Sequence, residues 1–419
     1  MTCKSSLPLA AVLVLVLALT PSLAAVAAQP VPPVDPVTVT ADSAPVEIDD
    51  VQTITPISEV QDIIDQINMA RMMTYASELS GEQPATVGGQ AVTIATRYTY
   101  NRDAVLRAAA YMAERLERLG LAVTTHWWTH SPNILQSMPN VVAEKPGTNP
   151  AAGIWIIGAH LDDTSGSPSS LAPGADDNGS GSVAVLTAAE SLAPYTFDAT
   201  IRFVLFTGEE QGLWGSDAYA SAVNGQDIRG MLNMDMIAWD STGGPDMDLH
   251  ARSSVDGSVD LGETYADVIS AYSLNLTPVI YGNGTSASDH ASFWDIDVPA
   301  ILAIENYYAD TGAPRDFNAY YHSNNDRVQY FNQSFYHEMT AATVATLAHV
   351  AGIHSGCYWA DLNCDDQVTV TDITTEAAHW QSSDGQWNYS PVYDPDGDDD
   401  VDIVDVQLLA AQWGWTSPG

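Results

Sequence analysis

The side chains best able to do chemistry fall in five short segments. Gly158-Ala-His160-Leu-Asp162-Asp163 closes an apolar run. His160 therefore stands at a strand terminus, facing the crevice where α/β sheets bind ligands. Asp162, two residues on, lies on the same side. A carboxylate there can accept the second ring N–H and fix the tautomer that binds metal. Pro173-Gly-Ala-Asp176-Asp177-Asn-Gly-Ser-Gly181 opens a helix. Its small residues let the backbone come close to what the acids hold, and one carboxylate with two oxygens can bridge two metals. Thr207-Gly-Glu209-Glu210 follows a second apolar run. Adjacent glutamates at a strand-to-helix turn point in different directions, so one can ligate while the other acts as a base. Asp235 lies inside the apolar run 231–237, where a carboxylate needs a counter-charge. Tyr320-Tyr321-His322-Ser-Asn-Asn-Asp326 places a His and an Asp in a loop. Each segment alone also reads as a helix cap or a solvated loop. Together they supply two His, a bridging Asp, a Glu, an Asp and a spare Glu. Imidazole and carboxylate without thiolate suit a hydrolytic dinuclear zinc site.

A second pattern lies near the C-terminus. Asp361, Asn363, Asp365, Gln367, Thr369 and Asp372 stand at positions 1, 3, 5, 7, 9 and 12 of a loop. Asp394, Asp396, Asp398, Asp400, Asp402 and Asp405 repeat it 33 positions on. Alternate oxygen donors around a tight loop match calcium's demand for many hard ligands. Asp366 and Asp399 replace the usual glycine at position 6 and tolerate its left-handed turn. A merely solvated acidic tail leaves the apolar Val368, Ile373, Val401, Ile403 and Leu408 unexplained. With Asp at position 12 and two copies in tandem, the segment resembles the dockerin module. That resemblance implies two bound calcium ions, at Asp361, Asn363, Asp365, Gln367 and Asp372 and at Asp394, Asp396, Asp398, Asp400 and Asp405, and a cohesin-type partner.

The larger part of the chain, roughly 57–354, resembles the co-catalytic dizinc aminopeptidases of the bacterial leucyl aminopeptidase type. The motifs that carry this are His160-Leu-Asp162, Gly174-Ala-Asp-Asp177, Gly208-Glu-Glu210, Asp235, Ser288-Asp-His-Ala-Ser292 and His322. The resemblance implies that His160 and Asp235 bind one zinc and Glu210 and His322 the other. Asp177 bridges them, with Asp176 as the alternative. Glu209 is the general base and then the acid to the leaving amine, Asp162 supports His160, and Tyr321 stabilises the tetrahedral intermediate. Asp289 and His290 read as supporting structure. The substrate implied is a peptide or protein with a free N-terminus. Gly282–Ala287 carries no cysteine, whereas some secreted relatives have a disulfide there, so this wall of the pocket differs. Other expectations on the same fold are a one-zinc glutaminyl-cyclase-like transferase and a carboxypeptidase. A non-catalytic component tethered by the dockerin-like module is the remaining one.

These side chains need a scaffold. Short β-branched runs at 153–159, 200–207, 230–237 and 298–304 alternate with helical patterns at 180–192, 211–223, 259–272 and 332–353. Upstream, helical spacing covers 57–79 and 101–119, and a strand covers 122–128. Alternation of this kind predicts an α/β domain, with a central, mostly parallel (mixed) sheet and helices on both faces. A small all-α calcium-binding module follows it. The domains expected are a signal peptide at 1–28, a linker or pro-segment at 29–56, a catalytic domain at 57–355 and the dockerin-like module at 357–419. Lys4, the short apolar stretch 7–19 and the small residues 24–28 make the signal. The protein is then secreted, held at a surface or scaffold through its partner. Cys357 and Cys364 are expected to pair as a disulfide in that oxidising compartment. With 13 Lys and Arg against 53 Asp and Glu, the net charge is −40. That field repels phosphate backbones, so nucleic acid is not an expected partner, and no run after the signal is long enough for membrane insertion.

Overall fold

The apolar runs become an eight-stranded sheet in a computed structural model that describes Pro45 and residues 54–416. Within that range 133, 242–243, 309–314, 355–359, 363–366, 384–388, 390 and 399 are left out. The strands are β1 (Ala122–His130), β2 (Ile134–Lys145), β3 (Ile154–His160), β4 (Thr200–Phe206), β5 (Ile228–Met234), β6 (Asp246–His250), β7 (Thr277–Tyr281) and β8 (Ala300–Glu305). Their order across the sheet is β7-β6-β8-β5-β3-β4-β2-β1. The β8-β5-β3-β4 centre is parallel, as is β7-β6, while β6-β8, β4-β2 and β2-β1 are antiparallel. The expected mixed sheet is therefore present.

Ten helices flank or follow the sheet among the described residues: α1 (Ser58–Asp65), α2 (Met69–Leu79), α3 (Arg102–Arg118), α4 (Gly181–Leu192), α5 (Trp214–Val223), α6 (Ser258–Ala271), α7 (His290–Trp294), α8 (Gln333–Val350), α9 (Val370–Ala377) and α10 (Ile403–Ala410). Strand side chains alternate between faces, and the two cores follow that alternation. Ile157, Phe203, Leu205 and Leu232 pack with α1–α4, α6 and α8; Ile156, Val204, Phe206 and Met231 pack with α5 and α7. Each such apolar side chain contributes about 1.5–3 kcal/mol when fully buried. The central strands are buried on both faces, so they read as nearly continuous hydrophobic runs.

Three expectations change. The helix at 57–79 is two helices, because Asn68 takes an extended backbone and caps α2 by accepting the Arg71 N–H. Strand β2 was not foreseen: Pro139 argues against a strand interior. Its pairing with β4 starts only at Val141, so the missing N–H of Pro139 costs no ladder bond on that side. Strand β7 carries Pro278 and is tolerated at the sheet edge.

The C-terminal segment holds α9 and α10, each opened by a capping box, Thr369 with Asp372 and Asp402 with Asp405. Among the described residues Ala360, Val368 and Leu409 form a buried cluster there, with Leu362, Ile373 and Trp415 packed against it, and Tyr389 and Val401 are buried as well. The signal segment, most of 29–56, Cys357, Cys364, Asn363 and Asp365 lie outside the described residues. No helix among the described residues is long and apolar enough to cross a membrane.

Candidate metal centre

Three adjacent parallel strands, β5, β3 and β4, end at one rim of the sheet. His160 is the last residue of β3, in register with Phe206 at the end of β4. Glu209 and Glu210 follow β4 after two residues, and Asp235 follows β5 directly. Asp177 sits in the turn 175–180 that feeds α4, and His322 in the loop before α8. Residues distant in sequence converge because parallel strands put their carboxyl ends on the same side.

The geometry at the centre is that of a bridge. One Asp177 oxygen is 3.4 Å from His160 Nε2, and the other is 3.2 Å from His322 Nε2. Asp235 Oδ1 is 3.4 Å from His160 Nε2, and Glu210 Oε2 is 3.0 Å from His322 Nε2. Glu209 Oε2 stands further off, 4.0 Å from His160 Nε2. Two clusters result, His160–Glu209–Asp235 and Asp177–Glu210–His322, each with donor atoms within 4.8 Å of one another. Glu210 Oε1 is buried without a hydrogen-bond donor, and the buried Asp177 Oδ2 and Asp235 Oδ1 face imidazole nitrogens at 3.2 and 3.4 Å. Buried oxygens in that state call for a cation, and the imidazole–carboxylate set fits zinc.

Charge bears this out. Burial raises Glu210, Asp177 adds to the rise, and the carboxyl is pushed up to about 7. Burial would lower His322, but Glu210 and Asp177 outweigh it and push the imidazole up to about 11. Burial also opposes charge on His160, yet Asp235 and Glu209 hold it well above its usual value. Asp177 is lowered despite burial, because both histidines face it. The ligand set carries more negative charge than two imidazoles balance. Protons on the histidines stand in for metal, and metal binding would release them.

The alternative bridge is occupied elsewhere. Asp176 accepts the Ala238 N–H at 3.0 Å and the Asn318 amide at 2.9 Å. The expected support of His160 by the Asp162 carboxylate takes a different form. His160 Nδ1 is 3.1 Å from the main-chain oxygen of Asp162 but 4.0 Å from its carboxylate. The ring N–H goes to the carbonyl, which still leaves Nε2 free for metal. The Asp162 carboxylate instead accepts from Thr99 Oγ1 and from the Glu209 N–H at 3.2 Å. It positions the general-base candidate rather than the ligand. Ser288 donates to Asp235 Oδ2 at 2.8 Å, so the Ser288–Ser292 stretch supports the centre, and His290 points to the Thr285 carbonyl. Tyr321 is 38% exposed and stacks on His322 with ring centroids 3.7 Å apart.

Asp326, noted in sequence without a role, and Arg97, which the sequence did not single out, position the centre. Asp326 accepts the main-chain N–H groups of Asp176 and Asp177 at 3.0–3.2 Å, fixing the bridging turn. Arg97, fully buried, donates to the carbonyls of Leu161, Leu79, Pro173 and Gly174 and lies 3.2 Å from Asp163. It ties the His160 loop to the Asp177 turn. Two glycines make these turns possible. Gly174 has φ +45°, and a Cβ there would lie 2.3 Å from the Asp177 carbonyl oxygen; Gly208 has φ +84°, and its Cβ would strike Trp128 at 2.6 Å. Arg97→Ala should cost about 3–5 kcal/mol, the usual loss when one partner of a buried pair is removed. Urea denaturation measures this, and an unchanged midpoint would show that the guanidinium is dispensable.

Residues 140–347 match the family model described as Peptidase family M28. Over that segment the chain is similar to peptidase family M28. A probable leucine aminopeptidase of Arthroderma otae is 31% identical over 217 residues, 49% of this chain and 54% of its own length. Leucine aminopeptidase 1 of Paracoccidioides brasiliensis is 31% identical over 257 residues, 57% and 64% of the two lengths. The chain spans about half the length of the curated relatives it matches. Among solved structures, the LapA aminopeptidase of Legionella pneumophila superposes with a TM-score of 0.57 at 22% identity, covering 73% of this chain and 78% of its own. A zinc aminopeptidase from Bacillus subtilis gives 0.54 at 14%, covering 69% and 98%. Tannerella forsythia glutaminyl cyclase gives 0.51 at 19%, covering 68% and 98%. At these identities the structural likeness is one of fold.

The C-terminal loops are partly described. Asp361 and Asp372 of the first are buried, and Gln367 bridges to Thr416. In the second, Asp394 Oδ1 accepts the Gly397 and Asp398 N–H groups, and Asp398 Oδ1 accepts that of Asp400. Asp394, Asp396 and Asp405 form one cluster and Asp400, Asp402 and Asp405 another, each with donor atoms within 4.8 Å. Asp405 caps α10 with Oδ2 while Oδ1 is buried without a donor, as a divalent-cation ligand would be.

Proposed function

We propose that the protein is a secreted, zinc-dependent aminopeptidase that removes N-terminal residues from peptides. The observation that carries the reading is the pair of histidines facing opposite oxygens of Asp177. His160, Asp177 and Asp235 would hold one zinc, and Asp177, Glu210 and His322 the other. Bound there, zinc supplies polarisation of the peptide carbonyl and acidification of water to a pKa of about 7. Glu209 accepts a proton from the attacking water and passes it to the leaving amine. The Asp162 carboxylate holds the Glu209 main chain in place for that transfer. Tyr321, beside His322 and partly exposed, donates its O–H to the carbonyl oxygen as charge develops there. With zinc held by these residues, the metal would also be available to the free α-amino group of the substrate.

Peptides with a free N-terminus should be cleaved and N-acetylated copies should not, with activity lost on zinc chelation and restored by zinc. Equal cleavage of blocked and free peptides would refute the exopeptidase reading.

The C-terminal segment binds two calcium ions in this reading and docks a cohesin-type partner at a surface or scaffold. Metal bound in these loops would add its binding free energy to the stability of the segment. Val370, Ile403, Val404 and Trp413 are exposed there and offer an apolar contact face.

A further inference from the structure

Arg71 and bound calcium, we infer, compete for Asp394, so that filling the second acidic loop releases it from the peptidase segment. The inference rests on the calcium reading of that loop and adds an intramolecular partner for it. The loop's Asp394–Gly397 corner is seated on the start of α2. Arg71 Nη2 lies 2.6 Å from Asp394 Oδ2, with both side chains nearly or fully buried. Tyr389 O–H donates to the same oxygen at 2.7 Å. Asn68 donates its amide to the Gly397 carbonyl at 3.4 Å, while its own oxygen caps α2. Gly397 is in the left-handed region at φ +72°, which favours glycine, and a Cβ there would displace the Asn68 amide. A crevice of about 530 Å³, lined among others by Asp65, Glu190, Asp361 and Leu408, runs beside the seat. The Arg71–Asp394 ion pair is thus one of the contacts that seat the loop on α2.

Asp394 is also position 1 of the loop and clusters with Asp396 and Asp405. A dication among those three carboxylates lies close to the Arg71 guanidinium across one shared carboxylate. Two cations at that separation repel, and each draws on the same negative charge. Linkage makes the effect reciprocal: whatever calcium does to docking, docking does to calcium affinity.

The test is a calcium titration of the full-length zinc-loaded chain, wild type against Arg71→Gln, by calorimetry. Arg71→Gln should tighten the second-loop step by about fivefold or more and leave the first-loop step unchanged. Hydrogen exchange on the wild type is a second measurement that needs no variant: calcium should speed exchange at the first turn of α2. Equal or weaker second-loop affinity in the variant, or exchange at α2 unmoved by saturating calcium, would overturn the competition. If the wild type binds no calcium at all, the calcium-loop reading itself fails, and this inference with it.

Discussion

Glu209→Gln is expected to retain zinc and to lose about 10²–10⁴-fold in kcat, the usual contribution of a positioned general base. The substitution keeps size and shape but removes the ability to accept a proton. The main-chain N–H that anchors residue 209 to Asp162 is untouched, so the turn should persist. Of the carboxylate oxygens facing His160 Nε2, Glu209 Oε2 is the most distant, at 4.0 Å against 3.4 Å for Asp177 and Asp235. A ligand would sit as close as those two; a base that works through a water sits further back. Burial raises the Glu209 carboxyl and His160 offsets part of the rise, and bound zinc would lower it further into the range where it accepts a proton near neutral pH. Zinc content by elemental analysis and steady-state kinetics on a free-amine peptide separate the roles. A variant with wild-type kcat would refute the base; one that has lost its zinc would make Glu209 a ligand instead.

Part of the centre was legible in sequence because it sits where apolar runs end: His160 closes a buried strand and Glu210 follows one within a few residues, and strand ends show up in the hydrophobic pattern. Asp235 stood out instead as a carboxylate inside an apolar run, whose strand stops at Met234. Asp177 and His322 lie on loops, and there the ordered motif set rather than periodicity pointed to them. What supports the centre was not legible. Arg97 acts through main-chain carbonyls of four scattered residues, and carbonyls leave no trace in a sequence. Its only signal was a cation in a chain with few of them. The Asp326 contacts run to N–H groups, which are equally silent. The same blindness explains Asp162: spacing placed it beside His160, but only coordinates show the ring choosing the carbonyl. In the fold, continuous apolar strands were found, and β2, β6 and β7 were missed. Pro139 and Pro278 break the pattern by which a strand is recognised, whereas Asp246-Met-Asp248-Leu-His250 carries the period-2 alternation of a strand and was passed over.

Asp177→Asn should remove the paired metal and with it activity on the order of 10³-fold or more, since two-metal stabilisation is worth several kcal/mol. An amide has one oxygen to offer and no charge. It cannot face both histidines as an anion, and the two imidazoles would be left with less to balance the cations they share. The turn itself should survive, because Asp326 holds it through the main-chain N–H groups of 176 and 177 rather than through the side chain. Loss of metal can thus be told apart from loss of fold, provided that circular dichroism stays native while zinc content falls. Asp176→Asn is the control that decides between neighbours. Its carboxylate accepts from Ala238 and Asn318 and faces neither histidine. That variant should lose stability through the disturbed network yet keep its zinc at ambient temperature. If Asp176→Asn empties the centre while Asp177→Asn does not, the bridging role belongs to the wrong acid here, and the pairing of oxygens with histidines has been misread.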